Sequence, residues 1–478
     1  MCCNRFVETN CSTKIQKNKD MHRVHFIAIG GAAMHNLALA LSKKKDYEIT
    51  GSDDEIFEPS YSRLKEKGLL PEKMGWFPER IHSNLNAVIL GMHAREDNPE
   101  LLRAKELGVK IYSFPEYLYL QTRSKTRIVV GGSHGKTTTT AMILYVLKKL
   151  KIKADYMVGA QIEGFENMVS LSYEARIAVF EGDEYLTSPI DRRPKFHVYK
   201  PHIGIITGIA WDHINVFPTF EIYVDQFRQF VKLMEIQGRF IYFDGDENLR
   251  NIASETESSR RDIVSFAYNT PKYEIRNGIT YVQTRKGEVA LKIFGEHNLQ
   301  NMEAARLACK QVGVLDEDFY VAIADFSGAS NRLQKITETE HAVAYKDFAH
   351  SPSKLKATVE AVRKQYPERK LIACMELHTF SSLTEEFLPQ YEGSMKKADT
   401  AFVYYNPEVI EHKKLKSISP EEVKNAFGGN NLQVFTDRNE LEKALQAENF
   451  ENSALLFMSS GNFSGINIVE FAQELLQK

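Results

Sequence analysis

The chain has 478 residues, 43% of them hydrophobic and 26% charged, which is enough apolar content for several buried cores and excludes both a short binding module and wholesale disorder. Its 61 Lys and Arg stand against 63 Asp and Glu, a formal net charge of -2, so no excess of positive charge points to nucleic acid or an anionic membrane. The five cysteines have no metal-ligand spacing and no apolar run approaches the ~20 residues needed to span a bilayer, so the expected location is the reducing cytoplasm.

Residues 1–20 are polar, lack the apolar centre of a secretory signal, and are expected to form a disordered tail. From Arg23 onward, short β-rich runs alternate with longer amphipathic stretches, the pattern of parallel sheets covered by helices, so the fold class is α/β. Residues 24–30 read as a first strand, followed by a helix through Met34 and Leu41 and a second strand ending at Gly51-Ser52-Asp53. Residues 87–92, a helix over 99–107 and a strand over 109–114 extend that sheet, and a first domain closes at 122. A second series opens with a strand over 126–132 and a helix to Leu150. It continues through 176–184, 202–209, a helix over 220–235 and a strand over 239–243. Residues 273–294 alternate like antiparallel hairpins, with Asn277-Gly278 and Lys286-Gly287 as turns, and read as an appendage to the central sheet. A helix beginning near His297 leads to a third series from Phe326, with strands at 342–348, 370–376, 400–406 and 454–460.

The sharpest signal is VVGGSHGKTTTT (129–140), a glycine-rich turn between an expected strand and an expected helix. Such a turn cradles phosphate: glycines let backbone N–H groups converge, the helix N-terminus adds positive potential, Lys136 supplies a charge and Thr137 offers a hydroxyl to Mg2+. The strict GxxxxGK[ST] pattern is not met, because Val130 stands five places before Gly135. EGDE (181–184) ends a strand, where ligands of open sheets gather, and its carboxylates suit a hard cation; a solvated acidic loop is the alternative. WDH (211–213) follows the next strand, so the His213 imidazole can share that edge with Glu181, although a lone histidine is more often structural.

In that order, GSHGKT, EGDE and WDH resemble the Mur ligase family, ATP-dependent enzymes that extend the peptide of the bacterial cell-wall precursor. AIGGAAM (28–34) looks like the family's N-terminal GIGGxGM turn, and GSD (51–53) like the acidic end of its next strand. GEHNLQNMEAA (295–305) is similar to its GxHNxxNxxAA helix start, and KDFAHSP (346–352) to its DYAHxP segment, with Arg332 where a family arginine precedes it. The resemblance covers nearly everything from Met21 onward. It implies a Rossmann-like UDP-muramate-binding domain (21–122), a central ATP-binding P-loop domain (123–325) and a C-terminal Rossmann-like domain (326–478) that takes the amine substrate and closes over ATP.

The resemblance also implies a set of roles. ATP is expected on Gly132, Ser133, His134, Gly135, Lys136, Thr137, Thr138, Asn298, Arg332 and Asp347, and Mg2+ on Thr137, Glu181 and His213. Catalysis falls to Lys136, Glu181, His213, Arg332 and His350, and the UDP-sugar to Gly30, Gly31, Met34 and Asp53. The first domain and residues 93–109 look like the branch that acts on UDP-N-acetylmuramate directly, whose members add either L-alanine or the recycled tripeptide L-alanyl-γ-D-glutamyl-meso-diaminopimelate. EGDEYLTSPIDRRPKFHVYKP (181–201) is more similar to the tripeptide-adding form, which makes Arg192 and Arg193 the expected holders of the tripeptide's carboxylates.

Three departures stand out. Ala33 replaces the family's second-turn glycine, Gly182 an alanine and Ser351 a second histidine. No lysine occurs between His213 and Lys232, so the carbamylated lysine of some members is not assigned, and YYNP (404–407) reads as the end of a strand. An NAD-linked oxidoreductase is disfavoured, because Gly30-Gly31-Ala32-Ala33 is not GxGxxG and a P-loop would have no role in it. A P-loop regulatory ATPase without ligation is the other class weighed. The expected partners are small molecules, UDP-N-acetylmuramate and a peptide or amino acid, with no nucleic acid and no membrane, in a monomer or weak homo-oligomer.

Overall fold

The computed structural model describes residues 21–162, 164–211, 216–328, 332–429 and 431–477. The chain forms two compact units, the first built on residues up to Phe114 together with Ser188–Ile190, and the second on Pro115–Thr187 and the residues from Asp191 onward.

The first unit is a four-stranded parallel sheet in the order β2-β1-β3-β4. Its elements run β1 (His22–Ile27), α1 (Ala32–Ser42), β2 (Tyr47–Ser52), β3 (Ala87–Leu90), α2 (Pro99–Glu106) and β4 (Ile111–Ser113). Val24, Phe26 and Ile27 of β1 and Val88 to Leu90 of β3 are buried, as expected of strands covered on both faces. α2 starts where the sequence allows: the Asn98 side chain accepts the Glu100 and Leu101 N–H groups at 3.0 and 3.1 Å, and Pro99 needs no partner at the first position. The strand order reverses at β1, so the Gly30-Gly31 turn that follows it opens at the crevice where open sheets bind ligands.

The second unit contains two large sheets. Its first elements are α3 (Phe114–Thr122), β5 (Thr126–Gly131), α4 (Lys136–Lys149), β6 (Ala154–Met157), β7 (Val169–Ser170), β8 (Ile177–Glu181), β9 (Ile203–Ile206), α5 (Phe220–Lys232), β10 (Arg239–Phe243) and β11 (Val264–Tyr268). The seven strands are ordered β11-β10-β9-β5-β8-β6-β7, and only the β6–β7 pair is antiparallel. β5 lies at the centre with β8 and β9 on either side, so the glycine-rich turn, Glu181 and the loop after β9 emerge together at one edge.

β12 (Tyr273–Arg276), β13 (Ile279–Thr284) and β14 (Gly287–Leu291) are hairpins as expected, turning at Asn277 and Gly278 with φ 51° and 69°. They form their own three-stranded sheet and, among the described residues, are not hydrogen-bonded to the central sheet. α6 (Glu296–Gln311) then packs on α4, and Leu299, Met302 and Ala305 of the one and Met142 and Val146 of the other belong to the same buried core.

The last sheet is ordered β15-β16-β20-β17-β18-β19. It comprises β15 (Gln334–Glu338), β16 (Ala342–Asp347), β17 (Lys370–Glu376), β18 (Thr400–Tyr404), β19 (Leu432–Phe435) and β20 (Ser453–Met458), parallel except at β15–β16, with α7 (Pro352–Gln365) after β16. α7 meets the hairpin sheet: Thr280 Oγ1 donates to Gln365 Oε1 at 3.1 Å, Gln365 Nε2 to the Gly278 carbonyl at 2.6 Å, and Lys364 pairs with Glu296 at 2.8 Å. β18 stops at Tyr404 because Asn406 accepts the Glu408 N–H at 2.9 Å and starts a helix, Pro407–His412.

Candidate active site

β5 delivers the chain into the glycine-rich turn, and two of its glycines are there for steric reasons. Gly132 has φ 124°, and a Cβ on it would lie 2.3 Å from Thr207 Oγ1; Gly135 has φ 80°, and a Cβ there would lie 2.2 Å from Asn301 Oδ1. The Ser133 N–H donates to the Gly208 carbonyl at 2.9 Å and the Thr207 N–H to the Gly131 carbonyl at 3.1 Å, which clamps the turn to the loop after β9. Gly135 N-caps α4, whose first residues are Lys136 and Thr137. His134 Nε2 shares a hydrogen bond with Ser353 Oγ at 2.8 Å, tying the turn to the first residues of α7.

The carboxylates of EGDE part ways. Glu181 accepts the Thr137 hydroxyl at 2.8 Å and the Gly159 N–H at 2.7 Å. Asp183 pairs with Lys195 at 2.6 Å. Glu184 takes the Lys136 ammonium at 2.7 Å, while the same ammonium donates to the Gly132 carbonyl at 2.7 Å. One cation held by all three carboxylates is therefore not what the loop builds, because two of them are occupied by lysines and only Glu181 lines the cavity. Burial alone would lower the Lys136 pKa, but Glu184, Asp183 and Glu181 outweigh it and raise it, so the lysine stays charged. Burial likewise works to raise Asp183, and Lys195 with Lys136 holds it below the usual carboxylate range.

A cavity of about 510 Å³ opens over the turn. Of the expected nucleotide residues, Ser133, His134, Gly135, Lys136, Thr137, Thr138, Asn298, Arg332 and Asp347 line it; Gly132 instead supplies the carbonyl that anchors Lys136. Arg332 stacks on the Phe348 ring at 4.3 Å, and burial lowers its pKa against the pull of Asp347 and Glu181. Asp347 is fixed by the Thr358 hydroxyl at 2.5 Å and the Leu333 N–H at 3.1 Å. His350 is not on the wall: its Nδ1 hydrogen-bonds the Phe348 carbonyl at 2.8 Å, a local contact that holds the ring. His213 lies outside the described residues.

The structure adds residues that the motifs did not single out. Asp246 accepts the Ile209 N–H at 2.6 Å and lines the cavity, as do Thr207, Ser353 and Thr358. Asn301, also on the wall, is the second asparagine of the GEHNLQNMEAA segment. Tyr223 is fully buried behind Lys136, and no motif marks it.

In the first unit, the Gly30 N–H donates to Asp53 Oδ2 at 2.7 Å, and a Cβ on Gly30 would lie 2.8 Å from Ile56 and 2.9 Å from Asp53. Gly31 N-caps α1, and the Met34 side chain is buried in the core. Burial and the neighbouring Asp54 push the Asp53 carboxyl up to about 6, against the lowering effect of the Gly30 N–H.

The two arginines expected to hold amine-substrate carboxylates are not equivalent. Arg193 is engaged by Asp191 at 2.6 Å and Glu116 at 3.2 Å, so its charge is already answered, whereas Arg192 is exposed and has no ion pair among the described residues. Their loop closes on itself: the Thr187 N–H donates to the Arg193 carbonyl and the Lys195 N–H to the Tyr185 carbonyl, both at 2.9 Å.

Three family descriptions match in chain order: Mur ligase family, catalytic domain over residues 23–126, Mur ligase middle domain over 130–309, and Mur ligase, glutamate ligase domain over 331–461. The chain is similar to the UDP-N-acetylmuramate--L-alanine ligase of Caldicellulosiruptor bescii, 30% identical over 396 residues that cover 80% of this chain and 83% of that protein. It is 28% identical over 388 residues to the UDP-N-acetylmuramate--L-alanyl-gamma-D-glutamyl-meso-2,6-diaminoheptandioate ligase of Escherichia coli, covering 80% and 84%. The solved UDP-N-acetylmuramate-alanine ligase of Thermotoga maritima shares the fold with a TM-score of 0.67 at 21% identity, over 95% of this chain and 98% of that one.

Proposed function

This chain belongs to the Mur ligase family of ATP-dependent amide ligases, and from that premise we propose that it joins UDP-N-acetylmuramate to the tripeptide L-alanyl-γ-D-glutamyl-meso-diaminopimelate in cell-wall recycling. Family membership sets aside both the oxidoreductase and the regulatory ATPase readings. The domains proposed are 21–122 for the UDP-sugar, 123–325 for ATP, and 326–478 for the amine and for closure. Gly30, Gly31, Met34 and Asp53 are the UDP-sugar residues proposed. The place of action is the cytoplasm and the working form a monomer or weak homo-oligomer; among the described residues no helix is long and apolar enough to cross a membrane.

ATP lies over the Ser133–Thr138 turn, where α4 directs its first N–H groups and Lys136 its charge at the phosphates. Asn298 reaches the base, and Arg332 and Asp347 approach from the last sheet. Thr137 and Glu181 are hard oxygen donors within hydrogen-bond distance of each other, which suits Mg2+, a cation that keeps waters and substrate oxygens as its other ligands. His213 completes the proposed set. When bound, Mg2+ neutralises charge on the transferring phosphoryl group. The substrate carboxylate attacks the γ-phosphorus and ADP leaves. The amine then attacks the resulting acyl phosphate, loses a proton and expels inorganic phosphate, leaving an amide. Lys136 and Arg332 stabilise the charge that develops, which is where fixed cations accelerate most.

The observation that carries the tripeptide reading is the loop after EGDE, closed by a Leu186–Pro194 bridge and presenting Arg192 to solvent with no ion pair among the described residues. A peptide with several carboxylates gains from such a cation more than free alanine does. Addition of L-alanine is the second reading, favoured by the identity to the Caldicellulosiruptor bescii ligase. An assay with ATP, UDP-N-acetylmuramate and equimolar L-alanine and tripeptide, read by product mass, separates them. The tripeptide adduct is expected to dominate; an L-alanine adduct alone overturns the proposal.

A further inference from the structure

Tyr223 sits on α5, is fully buried, and is held between the rings of Phe217 and Phe227 at 5.3 and 5.1 Å. Its hydroxyl is 3.1 Å from Glu184 Oε1 and 2.9 Å from Ser133 Oγ, and Ser133 Oγ also accepts the Ala210 N–H at 2.9 Å. A carboxylate only accepts, so the chain runs one way: the Ala210 N–H donates to Ser133, Ser133 to Tyr223, and Tyr223 to Glu184. The other oxygen of Glu184 takes one N–H of Lys136, and the Gly132 carbonyl takes a second. An ammonium has three N–H donors, and the third has no acceptor among the described residues, while Lys136 lines the cavity.

We propose that Tyr223 is a positioning residue for phosphoryl transfer: acting through Glu184, it fixes the Lys136 ammonium so that its remaining N–H faces the phosphate. This rests on Lys136 being the phosphate clamp. A lysine head on a flexible stem has no preferred direction of its own, unlike a guanidinium. Two acceptors planted on it supply the direction, and a charge already in place as the transition state forms has no reorganisation left to make. Glu184 is thus the anchor of the clamp, and the tyrosine hydroxyl is what orients that anchor.

The test is a double-mutant cycle of Tyr223→Phe and Glu184→Gln, with ATP, UDP-N-acetylmuramate and whichever amine the unaltered enzyme accepts. ATP affinity by titration calorimetry and the thermal midpoint are measured on the same four proteins. Tyr223→Phe removes one oxygen and keeps the ring; it is expected to lower kcat about tenfold, the size of a hydrogen bond to a charged group, with KM for UDP-N-acetylmuramate within about twofold and the midpoint little changed. The double variant is expected to be little slower than Glu184→Gln alone, because the proposed action of the tyrosine on Lys136 passes through that carboxylate. Losses that multiply, an unchanged kcat in Tyr223→Phe, or a loss that tracks the thermal midpoint would each overturn the proposal. If neither amine is turned over, the function proposed above fails on its own, and the same cycle is read in ATP affinity: non-multiplying losses support the chain and multiplying ones refute it.

Discussion

Replacing Lys136 with alanine removes two things at once, and the structure separates them. The first is the charge on the phosphates, whose loss is expected to reduce turnover by ~10³-fold or more. The second is the partner of a buried carboxylate: the Glu184 side chain is 1% exposed and that of Lys136 15%. Stranding such a charge costs on the order of 3–5 kcal/mol, and because the Tyr223 hydroxyl still answers Glu184 Oε1 the lower end, about 3 kcal/mol, is expected. Lys136→Ala is therefore inactive and also less stable, which the turn sequence read as a phosphate cradle does not foretell. Adding Glu184→Gln to it removes the stranded charge and is expected to restore most of the stability and none of the turnover. Urea unfolding and phosphate release, measured on both variants, check this. A Lys136→Ala protein that unfolds at the same urea concentration as the unaltered one would refute the ion pair, and a folded variant with near-normal turnover would refute the clamp.

Further outcomes follow from individual contacts. Gly135→Ala forces a Cβ to within 2.2 Å of Asn301 Oδ1 at φ 80°; ATP affinity is expected to fall at least tenfold by calorimetry, and unchanged affinity would show that the turn can shift. With Asp53 raised from 3.8 to about 6 by burial, the folded first unit binds more protons than the unfolded chain between those values, so its stability falls as pH rises through that window, by roughly 3 kcal/mol at most. Asp53→Asn should flatten that slope in unfolding measured from pH 4 to 6.5, and a slope that persists contradicts the assignment. Arg192→Ala is expected to raise KM for the amine substrate severalfold and leave that for ATP unchanged. Arg193→Ala, losing Asp191 and Glu116, should alter local protease sensitivity of the 185–195 loop more than KM.

The glycine-rich turn was legible because the chain must adopt positive φ at 132 and 135 with no room for a Cβ, and only glycine satisfies both demands. The central strands were legible because they are short apolar runs, buried throughout in β8 and β9. β11, β15 and β19 escaped because they are partly exposed at or near sheet edges and read VSFAY, QKITE and LQVF, too polar or too short to stand out. The hairpins were visible from their turns, but nothing local says which sheet a strand will join, and they formed their own. The directions of the Glu184 and Asp183 carboxylates were equally hidden, since they depend on lysines 48 and 12 positions away. Tyr223 could not be told from a core aromatic on an amphipathic helix, because its hydroxyl partners arrive from distant segments. His350 sits in a segment that matched the family; its Nδ1 hydrogen-bonds the Phe348 carbonyl two residues back, and it is not among the residues that line the cavity.

The central claim is that ATP activates the muramoyl carboxylate as an acyl phosphate at the Lys136 turn. It is tested most directly by carrying out the ligation with UDP-N-acetylmuramate labelled with ¹⁸O in its lactyl carboxylate and analysing the phosphate released by mass. Attack of that carboxylate on the γ-phosphorus, followed by expulsion of phosphate by the amine, predicts one ¹⁸O in each inorganic phosphate formed, with the other retained in the amide. Unlabelled phosphate would mean that ATP is hydrolysed without activating the acid, and ¹⁸O in AMP would mean that the carboxylate attacks the α-phosphorus; either result would contradict the account.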